Sequence, residues 1–392
     1  VGLHKAGFET VFFNEMDEAA GLTYQTNFPD ARPYVCPIEE LSAEQILADT
    51  GLRKGELDLL VGGPPCQGFS INAPVRSKTD ERNHLFKHYL RLVCEGLHPK
   101  FLILENVPGL LSMADGATIS DVMEAFLRAG YHASMKVLNA AHYGAPQERW
   151  RLIIVATALD GIEIEFPDPK HFSRQRPNFR GGRIHSFYDA IQKSTLPTRG
   201  FWEELLEPVS VSEAIGDLPP IPSGGGEDIA TYELKAETAY QKRARKKSRR
   251  LYNHTCSGLS SVNLERMKHV PQGGSWRDIP FDLLPDGMKR ARRSDHTKRY
   301  GRLAPNGMSG TIMTKCDPHW GTVVHYEQDR LLSARECARI QSFPDTFRFM
   351  GRRADQYRQI GNAVPPLLGE ALGLSVRSML DAANLETVCQ GQ

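Results

Sequence analysis

The chain has 392 residues, 40% of them hydrophobic, with 48 lysines and arginines against 47 aspartates and glutamates. That length gives two or three ordinary domains with ample core, and no apolar stretch approaches the roughly 20 residues needed to span a bilayer, nor is a signal peptide visible. Seven cysteines without CxxC spacing point to reduced thiols rather than a disulfide framework or zinc site, so an intracellular protein is expected.

In chain order, short apolar runs at 10–14, 57–61, 101–104, 135–138 and 152–156 alternate with helical patterns near 39–49, 82–97 and 118–129. This alternation predicts an α/β domain over 1–170, a mostly parallel sheet covered by helices. From 171 the pattern dissolves into Pro, Gly, Ser, Arg and Lys, including the loop Leu218 to Gly226, which predicts a second, smaller and irregular domain over 171–329. Helical periodicity returns at 334–341 and 367–383, so 330–392 is expected to rejoin the first domain.

The run Asp58 to Gly63 ends in two glycines and meets Pro64-Pro65-Cys66-Gln67. The glycines weaken the strand, and the prolines cannot extend its ladder and set the direction of the chain beyond it. Cys66 therefore stands at the carboxyl end of a strand, where ligands gather in open α/β sheets, and can act as a nucleophile; the other reading is a buried structural cysteine. A second strand ends in Glu105-Asn106-Val107-Pro108-Gly109, and Gln147-Glu148-Arg149-Trp150-Arg151 leads into a third. Taken singly, the glutamate reads as a solvated cap and the arginines as surface ion-pair partners. Further on come Arg330 to Asp345, with Arg335-Glu336-Cys337-Ala338-Arg339 inside it, and Gln359-Ile360-Gly361-Asn362-Ala363-Val364-Pro365-Pro366.

These five segments, in this order, resemble the motifs of the DNA cytosine-5 methyltransferase family, both bacterial members and eukaryotic maintenance-type catalytic domains. The resemblance covers about 2–170 and 300–378 and is weaker between them. It implies a Rossmann-like class I methyltransferase fold, S-adenosylmethionine as cofactor, no metal, and a monomer acting on double-stranded DNA. C5 of cytosine is a poor nucleophile until something adds to C6, and a thiolate suits that addition, which the resemblance assigns to Cys66. It likewise implies that Glu105, with a raised pKa, hydrogen-bonds N3, and that Arg151, with Arg149 beside it, orients the ring through O2. The base must leave the stack to be reached, and Gln67 and Ser70 are the candidates to contact the DNA it leaves.

Cofactor contacts carry over to Glu15, ending a strand where an acid commonly holds a ribose, to Met16 on the adenine, and to Ile38, Pro65, Leu85, Asn362 and Val364. Pro37 stands where an Asp usually precedes the residue matching Ile38. The family's Phe-x-Gly-x-Gly loop lies upstream of a segment like Gly2 to Phe8, so the chain is expected to be a fragment lacking its first strand and that loop.

The formal net charge of +1 would argue against a nucleic-acid partner, but an average conceals the distribution that matters. Lys242 to Arg250 carries seven cations and no acid, and Lys289 to Arg293 with Lys298-Arg299 forms a second cluster. Two such runs predict a phosphate-tracking surface. Lys242, Arg243 and Arg245 are expected to contact phosphates, and Arg277, Arg302 and Thr311 to lie near the grooves. Trp276 reads as a core anchor before a base-stacking residue. Against the methyltransferase stand a transfer-RNA cytosine methyltransferase of the same fold and a non-catalytic DNA-binding homologue.

Overall fold

The computed structural model describes residues 1–64, 85–173 and 205–390, apart from the side chains of Glu95, Ala114, Asp115 and residues 386–390. After a short helix α1 (Gly2–Lys5), β1 (Phe12–Asn14) leads through α2 (Glu18–Asn27) to β2 (Arg32–Tyr34), its parallel partner. Next come α3 (Ala43–Thr50), β3 (Leu59–Gly62), α4 (Leu85–Leu92) and β4 (Phe101–Asn106). They are followed by α5 (Ala117–Arg128), β5 (His132–Asn139) and β6 (Trp150–Thr157). A four-stranded sheet has the order β3-β4-β6-β5. Its β3 and β4 run parallel, whereas β6 is antiparallel to both β4 and β5, so the expected parallel sheet has an antiparallel half.

β4 reads as a continuous apolar run because both of its faces are covered. Leu102 and Leu104 pack with Val122 and Phe126 of α5. Phe101 and Ile103 pack with Leu368, Leu372 and Val376 of the C-terminal helix Pro366–Gln390. That helix also carries α1, and a Cβ on Gly2 would lie 2.4 Å from the Pro366 carbonyl oxygen, so only glycine allows the approach.

The middle of the chain contains α6 (Val211–Ile215), β7 (Gly226–Ala230), α7 (Ala239–Arg245), β8 (Leu251–Thr255), α8 (Ser261–Lys268) and α9 (Asp286–Lys289). A parallel bridge of β9 (Gly301–Arg302) and β10 (Thr322–Val324) follows. One core here gathers Met267, Trp276, Tyr300, Val324 and Leu331, so Trp276 is a core anchor. Another joins Val211, Leu251 and Ile312 to Cys337, Ile340, Phe343 and Ile360. The latter come from α10 (Ala334–Ile340), α11 (Arg353–Asn362) and the turn between them, before α12 (Pro366–Gln390).

Every residue of α10 is buried, charges included. Buried charges persist only when paired and hydrogen-bonded. Arg330 meets both Glu336 carboxylate oxygens at 2.7 and 2.8 Å; Arg339 bridges Asp345 at 2.6 Å and Asp217 at 2.9 Å. Arg335 donates to the carbonyls of Tyr252 and Phe347.

Candidate active site

β3 and β4 lie side by side, so their carboxyl ends meet. A Cβ on Gly63 would sit 3.4 Å from Glu105 Oε2, which places this carboxylate beside the backbone leading to Pro64. Asn106 next to it holds the same turn: its Nδ2 donates to the Pro64 carbonyl at 3.5 Å, and its Oδ1 accepts from Val107 N–H at 2.8 Å. Sequence reasoning passed over this role, because an asparagine beside a glutamate carries no signal of which backbone it reaches. Cys66, Pro65, Gln67 and Ser70 lie outside the described residues.

Glu105 is opposite Ile153 in the β4–β6 register, which puts Arg151, two residues before it on the same face, within diagonal reach. Arg151 Nε meets Glu105 Oε1 at 2.7 Å, with both side chains about one-seventh exposed. Burial pushes the Arg151 pKa down and the Glu105 carboxylate opposes it. The pair is thus a largely desolvated, directional donor–acceptor unit at the end of β4, next to the end of β3, the strand that runs on in sequence to Cys66.

The two arginines were expected to act together, and the structure separates them. Arg149 is 1% exposed; its Nη1 donates to the Ile312 carbonyl at 3.1 Å and its Nη2 to that of Gly361 at 2.7 Å. Burial, then the Arg151 charge, lowers its pKa. Both terminal nitrogens being taken by carbonyls, Arg149 clamps β6 to the segment at 312 and to the end of α11. Gln147 completes the clamp: its Nε2 reaches the Ile340 carbonyl and the Gln341 side chain, and its Oε1 accepts from Ile312 N–H. Gln341 in turn donates to the Ile360 and Ala363 carbonyls.

At the end of β1, Glu15 accepts from Asp17 N–H at 3.0 Å, and Met16 is 69% exposed. Ile38 opens a short 3₁₀ turn and offers its carbonyl to Arg91. Leu85 begins α4 half-buried, Asn362 ends α11 exposed, and Val364 packs on the Leu368 core.

The basic run divides. Lys242 is exposed, Arg243 pairs with Glu370 at 2.6 Å, and Arg245 turns inward, 3.1 Å from Asp217 and over the Tyr232 ring at 3.7 Å. Arg302, expected near a groove, is 6% exposed. It donates to the carbonyls of Met267, Val270, His325 and Gln328 and to Asp329, so neither it nor Arg245 is free to read DNA. A guanidinium serves inner carbonyls as well as phosphates, and sequence does not distinguish the two. Thr311 is exposed, though its hydroxyl donates to the Glu148 carbonyl at 2.7 Å. Arg277 is half-buried, its Nε without a partner among the described residues.

Solved structures with this fold are methyltransferases. A candidate DNA modification methyltransferase from an E. coli prophage superposes with a TM-score of 0.68 at 24% identity, covering 97% of this chain and 95% of that one. The S. pombe Dnmt2 methyltransferase superposes with a TM-score of 0.53 at 15% identity, covering 98% and 95%. The chain belongs to the C-5 cytosine-specific DNA methylases, whose family model matches residues 1–378. It is 31% identical to the type II methyltransferase M.AgeI of Thalassovita gelatinovora, over 96% of both chains. It is 33% identical to M1.HphI of Haemophilus parahaemolyticus, over 97% of this chain and 83% of that one. The DNA (cytosine-5)-methyltransferase PliMCI of Paracentrotus lividus is 31% identical over 97% of this chain, which spans 27% of that protein. The protein is therefore a DNA cytosine-5 methyltransferase whose methyl donor is S-adenosylmethionine, and the transfer-RNA and non-catalytic readings give way.

The residues present fit that donor. A carboxylate at a strand end suits ribose hydroxyls, and the uncovered Met16 next to it offers an apolar face to an adenine.

Proposed function

We propose that the chain methylates C5 of a cytosine extruded from duplex DNA, with Cys66 as nucleophile, Glu105 on N3 and Arg151 on O2. The observation that carries this reading is the 2.7 Å Arg151–Glu105 pair beside Gly63, three residues before Cys66. The Cys66 thiolate forms a bond to C6 as the C5–C6 π pair moves to C5. A proton shared between the Glu105 carboxyl and N3 draws charge from the ring and makes C6 electrophilic. Arg151 holds that carboxyl in line and offers its remaining N–H groups to O2. Glu15, Met16, Ile38, Pro65, Leu85, Asn362 and Val364 would hold S-adenosylmethionine, which when bound would supply the methyl group that the C5 electron pair takes. The C5 proton then passes to water, its electron pair re-forms the C5–C6 double bond, the S–C6 pair returns to the Cys66 sulfur as thiolate, and the aromatic ring is restored.

Residues 171–329 serve as the target-recognition domain in this reading, with Gln67, Ser70, Lys242, Arg243, Arg277 and Thr311 toward DNA, and the enzyme acts as a monomer. The likeness to two type II methyltransferases supports a modification role beside a restriction enzyme. The test is Cys66→Ala with tritiated S-adenosylmethionine and duplex DNA. Turnover should vanish while DNA binding persists; substantial remaining label on C5 would rule out the covalent route.

A further inference from the structure

Tyr300 is fully buried yet adopts φ +53°, a left-handed backbone that a bulky side chain rarely takes without a structural or functional reason. It locks the turn 317–321 in place. Tyr300 N–H donates to the Pro318 carbonyl at 2.6 Å, Trp320 N–H to that of Asp317 at 3.1 Å, and the Tyr300 hydroxyl meets the His319 ring. On this fixed turn the Trp320 indole is 63% exposed, in contrast to the 3% of Trp276. An indole held uncovered on hydrogen-bonded backbone beside a guanidinium offers an amphipathic aromatic face to a partner.

The charge around it indicates which partner. The Arg299 guanidinium lies 5.5 Å from the Trp320 ring centroid and has no ion pair with a described carboxylate. Lys298 and Lys315 are exposed nearby in sequence, and Asp317 is engaged by His319 N–H at 2.9 Å. The Arg299 carbonyl accepts from Trp276 N–H, which brings in Arg277 and its buried Nε, unpartnered among the described residues. The same segment is tied to the active site. It begins at Thr311 and Ile312, which bond the Glu148 carbonyl and Arg149, two residues from Arg151.

We propose that Trp320 and Arg299 form a DNA-contacting platform, Arg299 pairing with a backbone phosphate while the open indole face packs on the adjoining sugar and base. The inference rests on duplex DNA being the substrate. Its elements are those of nucleic-acid grooves, an aromatic face next to cations.

The experiment uses the full chain and a duplex that the wild-type protein methylates. Trp320→Ala should weaken duplex binding about tenfold and raise KM for DNA, with kcat at saturating DNA within about twofold of wild type. Trp320→Phe should restore most of the affinity while removing the DNA-induced quenching of tryptophan fluorescence expected of the wild type. Arg299→Gln should lower the salt slope of binding by about one. Unchanged affinity and quenching in the Trp320 variants would overturn the proposal, as would a loss of thermal stability with no change in KM. Failure of the wild-type protein to bind any duplex would overturn the substrate reading, and this platform with it.

Discussion

Arg149 and Arg151 are two residues apart and make opposite kinds of contact. Arg151 faces a carboxylate at 2.7 Å, and Arg149 faces two backbone carbonyls from distant parts of the chain. Exchanging Arg151 for lysine keeps the charge but loses the planar guanidinium. Arg151→Lys should therefore lower kcat with little change in thermal midpoint, as should Glu105→Gln, by about 10²–10⁴-fold for the latter. Radiolabel turnover beside a melting curve checks both; an equal fall in stability would make the pair structural. Arg149→Met strands the Ile312 and Gly361 carbonyls, each costing about 1–3 kcal/mol when buried unsatisfied. Chemical denaturation should show that loss, and a variant of wild-type stability but no activity would return Arg149 to the chemistry.

At the scale of elements, α10 gathers charges that a core ordinarily excludes. Arg330 and Glu336 are each 1% exposed and bond bidentately, and Glu336 also caps the helix through Ser333 N–H. Burial alone would raise the Glu336 pKa, but Arg330 outweighs it and holds the carboxylate well below its usual range. Arg330→Met leaves that carboxylate buried and alone, so it should destabilise the protein by about 3–5 kcal/mol. Arg330→Met with Glu336→Gln should recover part of this in a denaturant titration; equal losses would mean the pair is uncoupled. The sequence hid this role, since nothing in Arg335-Glu336-Cys337-Ala338-Arg339 shows that its charges are buried until Asp345, six residues on, and Asp217, 122 residues away, are seen to close on Arg339. By contrast β4 and β6 were legible, because strands covered on both faces are apolar without interruption, and β3 was legible because its apolar run stops at two glycines and two prolines. α2 was not, because it buries only Gly21 and Thr23 and so shows no apolar stripe; its start is set by the Asp17 cap. The meeting of Glu105 and Arg151 was legible because both stand near strand ends, where a sheet presents its side chains. Arg245 and Arg302 were misplaced because their partners are carbonyls and acids remote in sequence.

Across the whole molecule, this buried charge network links stability to pH. His254 stands between the Ser333 hydroxyl at 2.9 Å and the Pro219 carbonyl at 2.8 Å, so its Nε2 donates to the carbonyl while its Nδ1 pairs with the hydroxyl. His325 accepts from Glu327 and Gln328 N–H through Nδ1. Burial lowers both, helped by Arg330 and opposed by Glu336, and His325 falls to about 4. In the unfolded chain each histidine takes its proton near pH 6.5. Between about pH 6.5 and 4 the unfolded state therefore binds more protons than the folded one, and stability must fall as pH falls through that window. The slope should reach about 1.4 kcal/mol per pH unit for His325. Loss of the Glu336 contribution begins as pH falls into the ordinary glutamate range, about 4.3, so the histidine effect comes first, from about pH 6.5 to 5, and the two overlap below that. Urea denaturation at pH 7, 6 and 5 should show stability dropping ahead of most carboxylate titration. His325→Asn keeps an acceptor for the two N–H groups and removes the titration, so its profile should be flatter over the same interval. A wild-type stability that stays constant from pH 7 to 5 would mean that these rings are hydrated in solution and that the network around α10 opens far more readily than its hydrogen bonds imply.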